Sequence, residues 1–157
     1  MNAQSSAVIH ALPSPPDLAL IARLPHHDYL ELAAGDDAPR AIRRRLAQRL
    51  PEWSLPEFTD AAWLVATELV ANASAATERV HWTLGVPALR VWLRAGPSLV
   101  AVLAWDPTLT APAPRAAGGE DENGRGLAIV SRLSRAWGYY YPGRETGKIT
   151  WAIIEAP

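Results

Sequence analysis

No cysteine occurs in this chain of 157 residues. Disulfide bonds and metal sites built on thiolates are therefore excluded, and the composition fits a reducing compartment. No stretch approaches the roughly 20 apolar residues that a membrane helix needs. The N-terminus also lacks a basic region followed by a long apolar run. The sequence therefore predicts a cytoplasmic protein with no membrane segment and no secretory signal.

A strong excess of one charge is also absent. The formal net charge is -1, so the whole chain has no bias toward nucleic acids or anionic membranes. One local run of arginines, at positions 43–45 and 49, fits a solvated helix face better than a nucleic-acid site. With 49% hydrophobic residues, the chain is long enough for one domain with a core and too short for two.

A predicted helix over residues 60–76 organises the rest of the pattern. Alanines occupy much of this stretch, and the larger apolar residues form a stripe at helical spacing: Leu64, Val65, Leu69 and Val70. Glu68 and Asn72 interrupt the apolar pattern on adjacent turns of one face. Because an unpaired buried polar group costs about 1–3 kcal/mol, this face either meets solvent, caps a neighbouring loop or contacts a ligand.

The chain before this helix has two parts of different composition. Residues 1–27 are rich in proline and show no sustained period, which predicts an irregular or mobile leader. Residues 29–34 are apolar enough for a first strand. From Asp36 a helical pattern follows, and its buried face carries Ile42, Leu46 and Leu50.

After the central helix, strand patterns dominate. Residues 89–94 alternate between apolar and polar side chains, a turn follows, and residues 99–105 are almost wholly apolar. These features predict a hairpin whose second strand is the more central one. Residues 80–84 are compatible with either a strand or an extended loop.

The C-terminal part begins with a loop. Residues 107–123 combine prolines, glycines and acidic residues, which predicts a long mobile surface loop. A helix then begins at Gly124, and the stretches 137–141 and 149–154 predict the last two strands.

The order of these elements lacks the strand–helix alternation of a doubly wound nucleotide fold. It favours an α/β two-layer sandwich, in which a mixed, mostly antiparallel sheet is covered on one face by about three helices.

Three polar features are placed so that they can converge. Glu68 and Asn72 lie on the central helix, Asp106 ends the central strand, and Gly124 and Gly126 open a helix after the loop. A glycine-rich helix N-terminus suits phosphate because it offers unpaired N–H groups and a positive dipole end. An asparagine oxygen is a hard ligand that suits Mg²⁺.

These residues carry a resemblance to a known family. Glu68-Leu-Val-Ala-Asn72-Ala resembles the N box of the GHKL ATPase superfamily, and Trp105-Asp106-Pro107 resembles the start of its G1 box. The stretch from Gly124 to Val130 resembles the G2 box, and Gly147-Lys148-Ile149-Thr150-Trp151 resembles the closing strand motif. Over residues 28–155 the chain is most similar to the bacterial anti-sigma-factor serine kinases and their stand-alone ATP-binding relatives.

The resemblance implies a Bergerat ATP-binding fold over residues 28–157, with residues 107–123 as the ATP lid. ATP and Mg²⁺ are the implied cofactors, with Asn72 as the metal ligand and Asp106 as the acceptor of the adenine amine. The implied phosphate-binding turn contains Gly124, Arg125, Gly126 and Leu127. Glu68 is the implied general base for phosphoryl transfer.

Function and partners follow from the same resemblance. It implies a regulatory serine/threonine kinase of the anti-sigma type, which binds a sigma factor, phosphorylates an antagonist protein and acts without direct contact to nucleic acid or membrane. It also allows a homodimer. Two alternatives stay open: an ATP-binding switch without kinase activity, and an interaction domain that uses the same scaffold without nucleotide.

Two of the departures from the family pattern lie in the G1 box and in the closing motif. The G1 box usually continues with glycines, but Pro107 follows Asp106 here, and proline cannot adopt the positive φ of a glycine turn. In the closing motif the usual threonine position holds Ile149. Thr150 is therefore expected to point to the opposite side of its strand from the family threonine.

Overall fold

The computed structural model describes residues 8–9, 15–80, 85, 87–112, 122–143 and 146–157. Its helices are α1 (Pro15–Arg23), α2 (Ala38–Glu52), α3 (Thr59–Glu78) and α4 (Glu122–Leu133). Its strands are β1 (Val8–Ile9), β2 (His26–Ala33), β3 (Ala88–Gly96), β4 (Leu99–Asp106), β5 (Ala136–Tyr140) and β6 (Lys148–Glu155). In this described part of the chain, no helix has the length and apolar character needed to cross a membrane.

The strands form one sheet in the order β1-β5-β6-β4-β3-β2. Every neighbouring pair from β5 to β2 is antiparallel, and the short strand β1 adds to β5 in parallel. The β3–β4 hairpin forms as predicted. Strand β4 is buried along all 8 of its residues, which confirms the expectation that the most apolar strand is a central one.

Helices α2, α3 and α4 cover one face of the sheet. The predicted stripe of α2 is confirmed, since Ile42, Leu46 and Leu50 are each 0% exposed. They share a core with α3 and with alternate residues of the sheet, such as Val102 and Ile154. This layer is the α/β arrangement that the pattern of elements favours.

Helix α1 corrects the predicted irregular leader over residues 1–27. Residues 15–23 form this helix and β2 already begins at His26, although residues 1–7 and 10–14 lie outside the described part of the chain. Prolines suit a first helical turn, where the missing N–H has no intrahelical partner anyway. Leu18, Ile21 and Leu24 follow at a spacing that gives the helix one apolar side.

The same helix shows that the second face of the sheet is also covered. Ile21 and Leu24 pack in a cluster with Leu103, Trp151 and Ile153, which point away from α3. The prediction of helices on one face was therefore incomplete. The apolar residues on the other side of the central strands need a cover, and α1 supplies part of it.

Helix α3 also differs from its predicted burial. Val65, Leu69 and Val70 are buried, but Leu64 is 42% exposed and the neighbouring Trp63 is 41% exposed. An alanine-rich helix presents apolar groups on several sides, so periodicity alone does not select the buried side. Small residues such as Ala62 and Ala66 lie against the core instead.

Candidate functional site

A cavity of about 430 Å³ opens between the C-terminal half of α3 and the adjoining ends of β4 and β6. The segment after β4, residues 108–112, forms another wall. The polar and charged side chains that line the cavity are Asn72, Arg79, Asp106, Thr108, Thr110, Lys148 and Thr150. Its apolar walls include Leu69 and, from α4, Leu127.

Asn72 and Asp106 line the same cavity, although they come from a helix and a strand far apart in the sequence. Asn72 is half-buried on α3, and within the described part of the chain its carboxamide makes no hydrogen bond. Asp106 is the last residue of β4 and is only 2% exposed. The structure therefore brings together two of the sequence-predicted site residues.

The carboxylate of Asp106 already has protein partners. Its Oδ1 accepts hydrogen bonds from the backbone N–H of Thr108 at 2.9 Å and from the Thr108 hydroxyl at 2.6 Å. The residue after Pro107 thus turns back onto the end of the strand. A hydrogen bond from a backbone N–H to the carboxylate of the residue two positions earlier is typical of turns that begin with aspartate.

Lys148 is the second partner residue of Asp106, and it was not among the predicted site residues. Its Nζ lies 2.9 Å from Asp106 Oδ2 and 3.0 Å from Oδ1, and it donates to the Thr108 hydroxyl at 2.7 Å. The lysine side chain is 5% exposed and the aspartate side chain 3%. Such a buried pair is stable only when hydrogen bonds satisfy the remaining donors and acceptors.

The sequence contains a signal for this residue. Lys148 is the only lysine among 15 basic residues, and all the others are arginines. It is paired directly opposite Asp106 in the β4–β6 ladder. That register places both side chains on the same side of the sheet, toward α3.

Gly147 fixes the start of β6 beside Asp106. Its φ is +93°, a left-handed conformation that favours glycine. A Cβ at this position would collide with the backbone carbonyl of Asp106 and with the Trp105 indole. The Trp105 indole N–H in turn donates to the carbonyl of Thr146 at 3.0 Å. These contacts hold the chain at the point where Lys148 enters the cavity.

Thr150 lines the cavity, whereas Ile149 packs in the cluster on the other face of the sheet. The two side chains alternate as expected for a strand. The expectation that Thr150 would be turned away from the site is therefore wrong, although the alternation itself is as expected. It is Thr150, and not Ile149, whose side faces Asn72 and Asp106.

Glu68 lies one helical turn before Asn72 and packs against α4. Its carboxylate approaches Gly126 so closely that a Cβ there would overlap it. Glu68 is half-buried, and within the described residues it lies beside the cavity rather than in its lining. The lack of a side chain at Gly126 therefore makes room for this carboxylate.

The glycine-containing segment starts its helix earlier than predicted. Helix α4 begins at Glu122, so that Gly124 and Arg125 lie in its first turn, where the structure describes only the backbone. The unpaired N–H groups of a helix belong to its first four residues. Gly126 and Leu127 follow these four residues. Gly126 contacts Glu68, and Leu127 lines the cavity. Residues 113–121 of the predicted lid lie outside the described part of the chain.

The charges of the cavity favour an anionic ligand. Asp106 and Lys148 neutralise each other, whereas Arg79, exposed at the end of α3, has no carboxylate partner among the described residues. The described lining therefore carries one positive charge in excess. A comparison of the sequence with models of protein families and with curated proteins found no match.

Proposed function

We propose that this protein binds ATP with Mg²⁺ in the cavity between α3, β4 and β6. The observation that carries the proposal is that Asn72 and Asp106 line the same cavity, which is large enough for a nucleotide. Its volume of about 430 Å³ lies within the range of roughly 300–1,000 Å³ that small-molecule sites occupy.

The residues present fit this ligand. Among the described residues, Asp106 Oδ2 has only the Lys148 ammonium as a contact, and a carboxylate oxygen can accept a second donor such as an exocyclic amine. The Asn72 carboxamide makes no hydrogen bond in the described structure, so its oxygen is available to Mg²⁺. Arg79 at the cavity margin suits the charge of a phosphate.

The finer proposal is a regulatory serine/threonine kinase of the anti-sigma type with a Bergerat fold. When bound, MgATP would supply the phosphoryl group. Asn72 would hold the metal, and the carboxylate of Glu68 would accept the proton of the attacking hydroxyl. Its position on α3, one helical turn before Asn72 and next to Gly126, supports this role because it brings the carboxylate close to the proposed metal ligand. A sigma factor and an antagonist protein are the proposed partners.

One observation favours a different function for the same scaffold. Asp106 already has Lys148 and Thr108 as partners, so it does not need a ligand to compensate its burial. The second candidate is therefore an interaction domain that works without nucleotide.

Calorimetric titration with MgATP distinguishes the two candidates. Asn72→Ala should weaken MgATP binding by about tenfold or more, as expected for loss of a metal ligand, and it should have little effect when Mg²⁺ is chelated. Gln48→Ala removes the same chemical group from an exposed position of α2 and serves as the control. No heat with the wild-type protein would leave the interaction domain as the better proposal.

If ATP binds, the kinase is tested separately. Proteins that co-purify with the chain are incubated with it and radiolabelled ATP. Transfer of label should occur with the wild type and fall by about 100-fold or more in Glu68→Gln. Transfer at the full rate in this variant removes Glu68 from its role. Binding without any transfer supports a switch that has no kinase activity.

A further inference from the structure

We infer that Lys148 is a base-recognition residue, which donates a hydrogen bond to the ring nitrogen N1 of adenine while Asp106 accepts from the neighbouring amine. The inference rests on the proposed function and adds a second contact to the same base edge. It assigns a purpose to the one lysine of the chain.

Lys148 lines the cavity together with Asp106 and Thr150, yet the whole residue is only 4% exposed. Its Nζ lies 2.9 Å from Asp106 Oδ2. A donor and an acceptor thus stand side by side at the inner end of the cavity.

The donors and acceptors of the Asp106–Lys148 pair leave room for a ligand. A lysine ammonium has three N–H groups and no acceptor. Three acceptor atoms surround Nζ: Asp106 Oδ2 at 2.9 Å, Asp106 Oδ1 at 3.0 Å and the Thr108 hydroxyl at 2.7 Å. Because the first two belong to one carboxylate, a single N–H directed between them can serve both, which releases the third N–H for a ligand. Among the described residues, Asp106 Oδ1 has three donors, whereas Oδ2 has the ammonium alone.

The N–H that Lys148 can release and the Oδ2 atom of Asp106 match one edge of adenine. On the Watson–Crick edge the exocyclic amine donates, and the ring nitrogen N1 beside it accepts. If the amine binds Asp106 Oδ2, the adjacent ring nitrogen comes next to the Lys148 ammonium.

Arginine would not serve in the same way. A guanidinium is a planar fork, which commonly binds a carboxylate through two parallel hydrogen bonds. A compact ammonium can contact the carboxylate, the Thr108 hydroxyl and a third acceptor in different directions. This difference gives a physical reason for lysine at position 148 in a chain whose other basic residues are arginines.

The test compares ATP with 1-deaza-ATP, in which N1 is replaced by a C–H group, on wild type and Lys148→Met. In the wild type the analogue should bind about tenfold or more weakly, as expected for a lost hydrogen bond to a charged group. In Lys148→Met the two nucleotides should bind within about twofold of each other. As a control, 7-deaza-ATP keeps N1 and should give the same ratio to ATP in both proteins.

A second measurement uses the wild-type protein, in which the ion pair between Asp106 and Lys148 stays intact. With ¹⁵N-labelled lysine, the chain has a single side-chain ammonium signal, because Lys148 is its only lysine. The signal should shift with ATP and with 7-deaza-ATP, and by much less with 1-deaza-ATP. This readout also holds if Lys148→Met does not fold.

The outcomes separate the two proposals. If ATP binds and the ratio of ATP to 1-deaza-ATP affinity is the same in both proteins, or the ammonium signal responds equally to both nucleotides, the role of Lys148 is refuted while the ATP site stands. If no nucleotide binds to the wild type, the proposed function itself fails.

Discussion

Breaking the buried pair of Asp106 and Lys148 from one side should destabilise the protein strongly. Lys148→Met keeps most of the side-chain volume but leaves a carboxylate in a residue that is 2% exposed. Removal of one partner of a buried pair typically costs about 3–5 kcal/mol. Because the two hydrogen bonds from Thr108 remain, we expect the lower end, about 3 kcal/mol.

The measurement is urea and thermal unfolding followed by circular dichroism at pH 7. In a domain of this size, 1 kcal/mol corresponds to about 2–4 °C in Tm, so the variant should melt about 6–12 °C lower. The control is Arg135→Met, which removes an ion pair with Glu155 at 3.2 Å whose side chains are 48% and 57% exposed. Its loss should stay below about 1 kcal/mol.

A double variant tests the cause of the effect. Asp106→Asn combined with Lys148→Met removes both charges and keeps an acceptor for Thr108. Its loss of stability should be clearly less than the sum of the losses of the two single variants, because the double variant contains no unpaired buried charge. Additive losses, or a loss below about 1 kcal/mol for Lys148→Met, would refute this reasoning.

Three further predictions concern the fold. Gly147→Ala should lower the free energy of unfolding by at least about 2 kcal/mol, because of its positive φ and the backbone clash of the new Cβ. Gly143→Ala has open space at its Cβ and should change the free energy little; similar losses for both variants in chemical denaturation would contradict the prediction. Leu69→Ala should cost about 2–5 kcal/mol, and Leu64→Ala, 42% exposed, much less by the same measurement. Burial raises the pKa of Tyr140. The unfolded chain therefore loses this proton first, so stability should fall as the pH rises above about 10, and less steeply in Tyr140→Phe; equal slopes would argue against it.

The sequence predicted best those elements whose pattern has one interpretation. The unbroken apolar run of β4 indicated a strand buried on both faces. In α2, apolar residues that recur every four positions identified the buried face. Helix α3 was less predictable because alanine is compatible with either the buried or the exposed side. Packing against α2 and α4 then selected the side, which left Leu64 in solvent. Helix α1 is hard to predict because prolines are typical of irregular segments, yet they also suit the first turn of a helix.

The candidate site was predictable where single residues stood out against their surroundings. Asn72 interrupts an apolar helix and Asp106 ends an apolar strand, and the two line one cavity. The position of Glu68 beside Gly126 depends on how α3 packs on α4, and sequence spacing does not contain that information. The roles of these residues in binding and transfer stay predictions, to be decided by the titrations and the transfer assay.

Lys148 shows why a strand register matters more than a motif for the chemistry of this cavity. It stands 42 residues from Asp106 in the chain and pairs with it only because β4 and β6 align these two positions. A shift of one residue would place Ile149 opposite Asp106 and turn the ammonium to the other face of the sheet. Gly147 prevents that shift, because its positive φ and its contact with the backbone of Asp106 fit this register. Positions 148 and 150 of β6 therefore face the cavity together, and ligand selectivity should change with substitutions at these two positions more than at Ile149 between them.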